Sequence, residues 1–282
     1  MSNTVVELGD GIRLTRVLYT DALVPPEIMG LTVDDIEGVA WRTVNEYEDF
    51  QPRVGVAAWV IETSGRRVVV DPVQAADAVI RADTASEQFH QDAFGDVLAN
   101  AGFARDTIDA VIMTHIEGLG MVSSHEPDGS WTPYFANATI HVGAANRKYF
   151  EALLPPDRSS EPSNESWSTL FATGCTAQYE PGDEIVPGVR AATTDAHCEG
   201  HSVLHLGSRS ETNGGPAATM LGHLAISPLH LSTGLCPQQH YQPEIAWSTL
   251  HECADDGRLL IGPLWPSPGC GRWDGARFVP GP

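Results

Sequence analysis

Two apolar, β-branched runs, Val56-Ala57-Ala58-Trp59-Val60-Ile61-Glu62 and Arg67-Val68-Val69-Val70-Asp71, flank the turn residues Thr63-Ser64-Gly65-Arg66. Runs of this length around a glycine-containing turn predict a hairpin of buried strands. From Ser86 to Ala101 the pattern changes period: Phe89, Ala93, Val97 and Leu98 recur at helical spacing and Gly102 follows as a stop. Strands are then expected over Ala110–Thr114 and Ala138–Val142, and a helix from Ala144 to Leu154, where Pro155-Pro156 ends it. Residues 155–165, rich in Ser, Pro, Asn and charge, read as an exposed loop, followed by a short helix over Ser166–Thr173. Further strands are expected over Val189–Ala192, Ser202–Gly207, Ala218–Leu221 and Arg258–Gly262, with a helix over Pro243–Ala254. Strands and helices alternate along the whole length without an internal repeat, so residues 1–282 are read as one domain. Within it, residues 1–50 read as an amino-terminal extension or lid, and Trp41 to Phe50 as a candidate lid or homodimer contact.

Composition narrows the function classes. The chain has 282 residues, 42% of them hydrophobic, enough for a large core without disulfides. Thirty-seven acidic residues against 16 basic ones give a formal charge of −21. That balance opposes binding to a phosphate backbone or an anionic membrane surface and leaves a small-molecule substrate as the expected partner. The five cysteines, Cys175, Cys198, Cys236, Cys253 and Cys270, are odd in number and contain no C-x-x-C pair. They predict reduced thiols and, with no signal peptide read at the start, a cytoplasmic protein.

Candidate chemistry gathers where predicted strands end. His115 and Glu117 follow the strand ending in Thr114; Asp195-Ala196-His197-Cys198-Glu199-Gly200-His201 precedes the strand from Ser202; His223 follows Leu221-Gly222; and Pro266-Ser267-Pro268-Gly269-Cys270-Gly271 lies near the carboxyl terminus. Imidazoles and carboxylates are the side chains that hold zinc, iron or manganese at neutral pH. One histidine at a strand end is more often a structural group than a ligand.

Taken in order, these segments resemble the metallo-β-lactamase superfamily, in its lactonase and organophosphate-hydrolase-like branch. Val70-Asp71 looks like the family's strand ending in Asp. Thr114-His115 opens T-H-x-H-x-D-H, Ala196 to Ser202 is similar to G-H-T-P-G-H-S, Leu221-Gly222-His223 to the strand ending L-G-D, and Pro266 to Gly271 to P-F-P-G-L-G. The resemblance, from about Asp49 to Phe278, implies an α+β fold, the four-layered αβ/βα sandwich.

It also implies a site whose departures matter. The family's first metal would fall to His115, Glu117 and His197, a two-histidine, one-carboxylate set. The ligand positions of its second metal carry Leu119, Gly120 and Leu264, none of which can donate, and the bridging aspartate has become His223. Together, His115, Glu117, His197 and His223 would suit one zinc, iron or manganese ion. The same residues also suit a pocket without metal, in which imidazoles beside Glu117 and Glu199 do acid–base work.

Within that frame, Glu117, His223 and Glu199 are the candidate catalytic groups, Asp71 and His201 orient the ligands, and His230, Leu119 and Leu264 line the substrate cleft. His240 is a further candidate for that cleft, with a polar loop residue as its stronger reading. Three functions follow as expectations: hydrolase-like chemistry at a single metal on an ester, lactone or related carbonyl; a metal-independent lyase, isomerase or cyclase in a biosynthetic pathway; or a binding protein without catalysis.

Overall fold

The computed structural model describes residues 3–72, 93–116, 122–153, 162–208, 215–233 and 240–282. Glu117, Gly118, Leu119 and Gly120, Cys236, and residues 155–161 of the expected loop lie outside the described residues.

The expected hairpin is present, and its apolar character has a direct structural cause. Strands β1 (Thr4–Leu8), β2 (Ile12–Leu23), β3 (Tyr47–Glu48), β4 (Gln51–Thr63), β5 (Arg66–Val70), β6 (Ala110–Ile112), β9 (Thr139–Gly143) and β10 (Thr176–Tyr179) form one sheet in the order β1-β2-β4-β5-β6-β9-β10, with β3 on β4. From β5 through β10 the pairings are parallel. A parallel sheet must be covered on both faces, so its strands read as continuous apolar runs with no alternation. Val68 to Val70 of β5 and Ala110 to Ile112 of β6 are accordingly all buried, and the adjoining antiparallel β4 is buried from Val56 to Ile61.

The second sheet comprises β11 (Glu184–Val186), β12 (Val189–Thr193), β13 (Ser202–Leu206), β14 (Ala218–Met220), β15 (Leu259–Ile261), β16 (Cys270–Trp273) and β17 (Phe278–Pro280), in sequence order. Its parallel pair β14–β15 is joined through the helix Pro243–Ala254. Strands β7 (Ser123–His125) and β8 (Trp131–Pro133) form a separate small hairpin.

Successive side chains of a strand face opposite ways, and the core divides accordingly. Trp59, Ile61, Val68 and Val70 of the first sheet pack with Val189, Leu204, Leu206 and Ile261 of the second. On the other face of the first sheet, Ala58, Val60, Val69 and Val111 meet Phe94 and Leu98 of the helical stretch 93–100, and Trp167 and Leu170 of the helix Pro162–Thr173. The outer face of the second sheet places Val203 and Leu260 against Ala246 and Leu250. The layers run helix, sheet, sheet, helix.

Two expectations need correction. Residues 4–23 are no extension or lid: β2 pairs along nearly its whole length with β4, and Leu14 and Val17 are fully buried. Residues 162–165 of the expected loop are the first turn of a helix that begins at Pro162, where a proline's fixed φ suits helix entry. Trp41 packs on Trp273 and Phe278 and donates its indole N–H to Ser232, which seats the front of the Trp41–Phe50 segment on the second-sheet side. Among the described residues, no helix is long and apolar enough to cross a membrane.

Candidate metal centre

The ends of β5, β6 and β14 and the β12–β13 connection meet at one edge of the sandwich. At the end of β5, Asp71 takes a left-handed backbone, φ +40°. Such strain costs about 1–3 kcal/mol at a residue other than glycine and persists where surrounding bonds enforce it. Here Asp71 Oδ1 accepts the Thr114 N–H at 2.7 Å and Oδ2 accepts the Thr114 hydroxyl at 2.7 Å. Burial raises the Asp71 pKa, while His115 and the Thr114 bonds pull it back. Because the Thr114 hydroxyl proton is committed to Asp71, its oxygen accepts from His115 Nδ1–H at 3.1 Å. The lone pair of His115 therefore sits on Nε2.

The connection between β12 and β13 is a compact loop with a second strained residue, Asp195 at φ +50°. Asp195 Oδ1 accepts the Gly200 N–H at 2.7 Å. Gly200, at φ +75°, lies so close to the start of the helix Ala144–Leu153 that any side chain would strike Asn146. Asn146 is 2% exposed and ties two loops together: its Oδ1 accepts from the Ile116 N–H at 2.6 Å, and its Nδ2 donates to Glu199 O at 2.8 Å and to Cys198 Sγ at 3.3 Å.

His197, on this loop, and His223, in the single turn Gly222–Leu224 after β14, close on His115. The His115 ring centroid is 4.8 Å from each of theirs, and theirs are 5.3 Å apart. One ring nitrogen from each lies within 4.8 Å of the others; His115 is buried and the other two half-buried. Tetrahedral zinc held by imidazoles at about 2.0–2.1 Å sets its nitrogens ~3.3 Å apart, so modest ring rotations would bring the three onto one ion. Three neutral imidazoles, one with its lone pair fixed by a hydrogen-bonded relay, fit a single divalent metal with a position left open.

The other expected residues are placed differently. The His201 ring lies 5.3 Å from His115 and 5.6 Å from His197, and its Nδ1–H donates to Thr194 Oγ1 at 2.9 Å. Its fully buried Nε2 makes no hydrogen bond and abuts Gly222. Burial and the neighbouring imidazoles hold the His201 pKa well below that of a free histidine. Gly222, at φ +54°, is required here, because a Cβ would come within 2.6 Å of Thr114 Oγ1 and 2.7 Å of His201 Nε2. Glu199 is exposed and stands outside the converging group, its backbone carbonyl held by Asn146.

His230, expected in the cleft, is instead 1% exposed; its Nε2 bonds Met29 O at 3.1 Å, and burial lowers its pKa to about 4. Leu264 packs partly buried on the cluster around Met29 and Leu229. Glu117 and Leu119 lie outside the described residues.

Asn146 was not singled out by sequence reasoning, and His240 was set aside there as a polar loop residue. Asn146 carries no spacing signal. His240 is 6% exposed, its ring 5.2 Å from that of His197, with Nε2 at 3.0 Å from Leu224 O.

No protein-family model matches the chain, and no curated protein matches it by sequence. Solved structures match over nearly the whole length. A hydrolase of the β-lactamase superfamily, AbOPH, is 16% identical with a TM-score of 0.73, covering 99% of this chain and 97% of its own. AidC, a dizinc quorum-quenching lactonase in complex with a product, is 14% identical with a TM-score of 0.74, over 100% and 98%. An N-acyl homoserine lactone hydrolase with its product at the catalytic metal centre is 15% identical with a TM-score of 0.57, over 99% and 100%. At these identities the likeness is one of architecture, and it agrees with the four layers and the edge-sited histidines: the chain has the metallo-β-lactamase fold.

Proposed function

We propose that this chain is a single-metal hydrolase acting on an ester, lactone or related carbonyl of a small molecule, with His115, His197 and His223 as the protein ligands. The observation that carries the reading is the convergence of three ring nitrogens, from three separate loops of two sheets, within 4.8 Å of one another. Similar structures that act on lactones support the carbonyl substrate class. When bound, a divalent metal supplies a Lewis acid that polarises the carbonyl oxygen and lowers the pKa of water.

The chain's own part is positional. Asp71 and Thr114 set the tautomer of His115, Asn146 joins the loops that bear His115 and His197, and His223 takes the position at which the resemblance implies a bridging carboxylate that would draw in a second cation. Replacing that carboxylate by a neutral imidazole removes the charge that a two-metal site needs to bring its ions close together.

Elemental analysis of protein purified without added metal tests the reading. About one zinc, iron or manganese per chain is expected, falling below a tenth in His115→Ala and His223→Ala, with turnover of a panel of lactones and esters lost in parallel. Absence of metal, with no uptake on dialysis against each ion, would overturn it. Glu117→Gln would then separate a metal-free acid–base enzyme, which loses turnover, from a binding protein, which keeps its ligand affinity.

A further inference from the structure

The hydrolytic reading gives His240 nothing to do, yet its ring reaches two of the ligand-bearing elements, the His197 loop and the His223 turn. Its Nε2 lies 3.0 Å from the carbonyl of Leu224, the residue that follows His223, and its Nδ1 lies 3.5 Å from His197 Nδ1. Around it the backbone is stitched to the same loop: Tyr241 N–H donates to His197 O and Gln242 N–H to Ala196 O, both at 3.0 Å.

The donor roles follow from chemistry alone. A carbonyl oxygen only accepts, so His240 carries its proton on Nε2 and its Nδ1 is a bare acceptor. His197 Nδ1 faces that acceptor and must be the donor, which leaves the lone pair of His197 on Nε2.

We infer that His240 is a positioning residue: it holds His197 in the Nδ1–H tautomer and ties that choice to the turn bearing His223, so that both imidazoles enter the metal site in one arrangement. The geometry stands without the metal-centre reading; its consequence for metal binding rests on that reading. Ligating histidines commonly donate their second ring N–H to a carboxylate or a carbonyl. Here the acceptor is another imidazole, whose own tautomer is set by a backbone carbonyl. If His240 offered no acceptor, His197 could take the other tautomer and turn an N–H toward His115 and His223.

Long-range proton–nitrogen spectra of histidine-labelled, metal-free wild-type protein at pH 8 read the tautomers directly. The proton of His197 is expected on Nδ1 and that of His240 on Nε2; His197 carrying its proton on Nε2 would overturn the inference. Two variants extend the test. His240→Asn keeps an oxygen acceptor near the Nδ1 position and should leave the His197 tautomer and the cobalt(II) affinity close to wild type. His240→Phe removes both nitrogens and should weaken cobalt(II) binding about 10- to 100-fold, the range found when the outer partner of a ligating histidine is lost. Unchanged affinity and tautomer in His240→Phe would also overturn it. Wild-type protein that takes up no cobalt, but loses its Nδ1–H signal in His240→Phe, would sink the metal-centre reading and leave the positioning role standing. Should His240→Phe fail to fold, the wild-type spectrum and His240→Asn decide.

Discussion

Thr114 shows how much can depend on one hydroxyl. Its oxygen lies between the Asp71 carboxylate and the His115 ring, donating to one and accepting from the other. Thr114→Val keeps the shape and removes the relay, so metal affinity should fall about 10- to 100-fold with the fold retained, as measured by competition with a chromophoric chelator. Gly222→Ala should be worse, because the added methyl meets Thr114 and His201 on a backbone at φ +54°. A loss of about 1–3 kcal/mol in urea unfolding is expected.

Residues of this kind mark the limit of what could be read from the chain. His115, His197 and His223 could be found because each lies beside a recognisable strand, in a segment that resembles a family motif. Asn146 could not, and His240 was passed over as a polar loop residue, since the bonds Ile116–Asn146 and His197–His240 join residues 30 and 43 positions apart. Such contacts leave no periodicity behind.

Among the elements, the inner strands were legible and the outer ones were not. Strands buried on both faces announce themselves as unbroken apolar runs, which is why antiparallel β4 and the parallel pair β5 and β6 fell where expected. β2 hid because Arg13 and Arg16 interrupt its apolar positions. Arg16 is nevertheless 1% exposed, its guanidinium donating to Gly55 O, Trp265 O and Ser267 Oγ, and burial lowers its pKa to about 10. A sequence gives no notice that such a cation will be spent on carbonyls inside the fold. The helix Ala144–Leu153 was read correctly as a helix, but its use as a clamp depends on Asn146. Asn146→Ala leaves the Ile116 N–H without its acceptor and should cost about 1–3 kcal/mol in urea unfolding. The amide of Ile116 should exchange faster with deuterium, while the amides of β4 keep their protection.

For the whole molecule, His230 makes stability depend on acidity. Its pKa in the folded protein, about 4, lies below the ordinary histidine value of 6.5, so the unfolded chain binds more protons between those two values. Stability should therefore be full above about pH 6.5 and fall as the pH drops toward 4, by up to ~3 kcal/mol from this group. Urea midpoints taken from pH 7 to pH 4 would show it, and His230→Asn should flatten that part of the profile. The layered architecture was legible through the family resemblance of the strand-end segments, whereas the apolar periods gave only the individual strands and helices. The amino-terminal strands were misjudged because their charged positions, Glu7 in edge strand β1 and Arg13 and Arg16 in β2, make them resemble a tail.

His115 belongs to the first sheet, whereas His197 and His223 hang from the second. An ion gripped by all three would act as a clasp between the two halves of the sandwich, and holding the clasp shut would hold the halves in register. Melting temperature should then climb with free metal, by the equivalent of about 2.7 kcal/mol at one hundred times the dissociation constant. In the other direction, a packing defect deep between the sheets, such as Ile61→Ala, should register at the far edge as a weaker grip on the ion, although no atom of Ile61 belongs to the site.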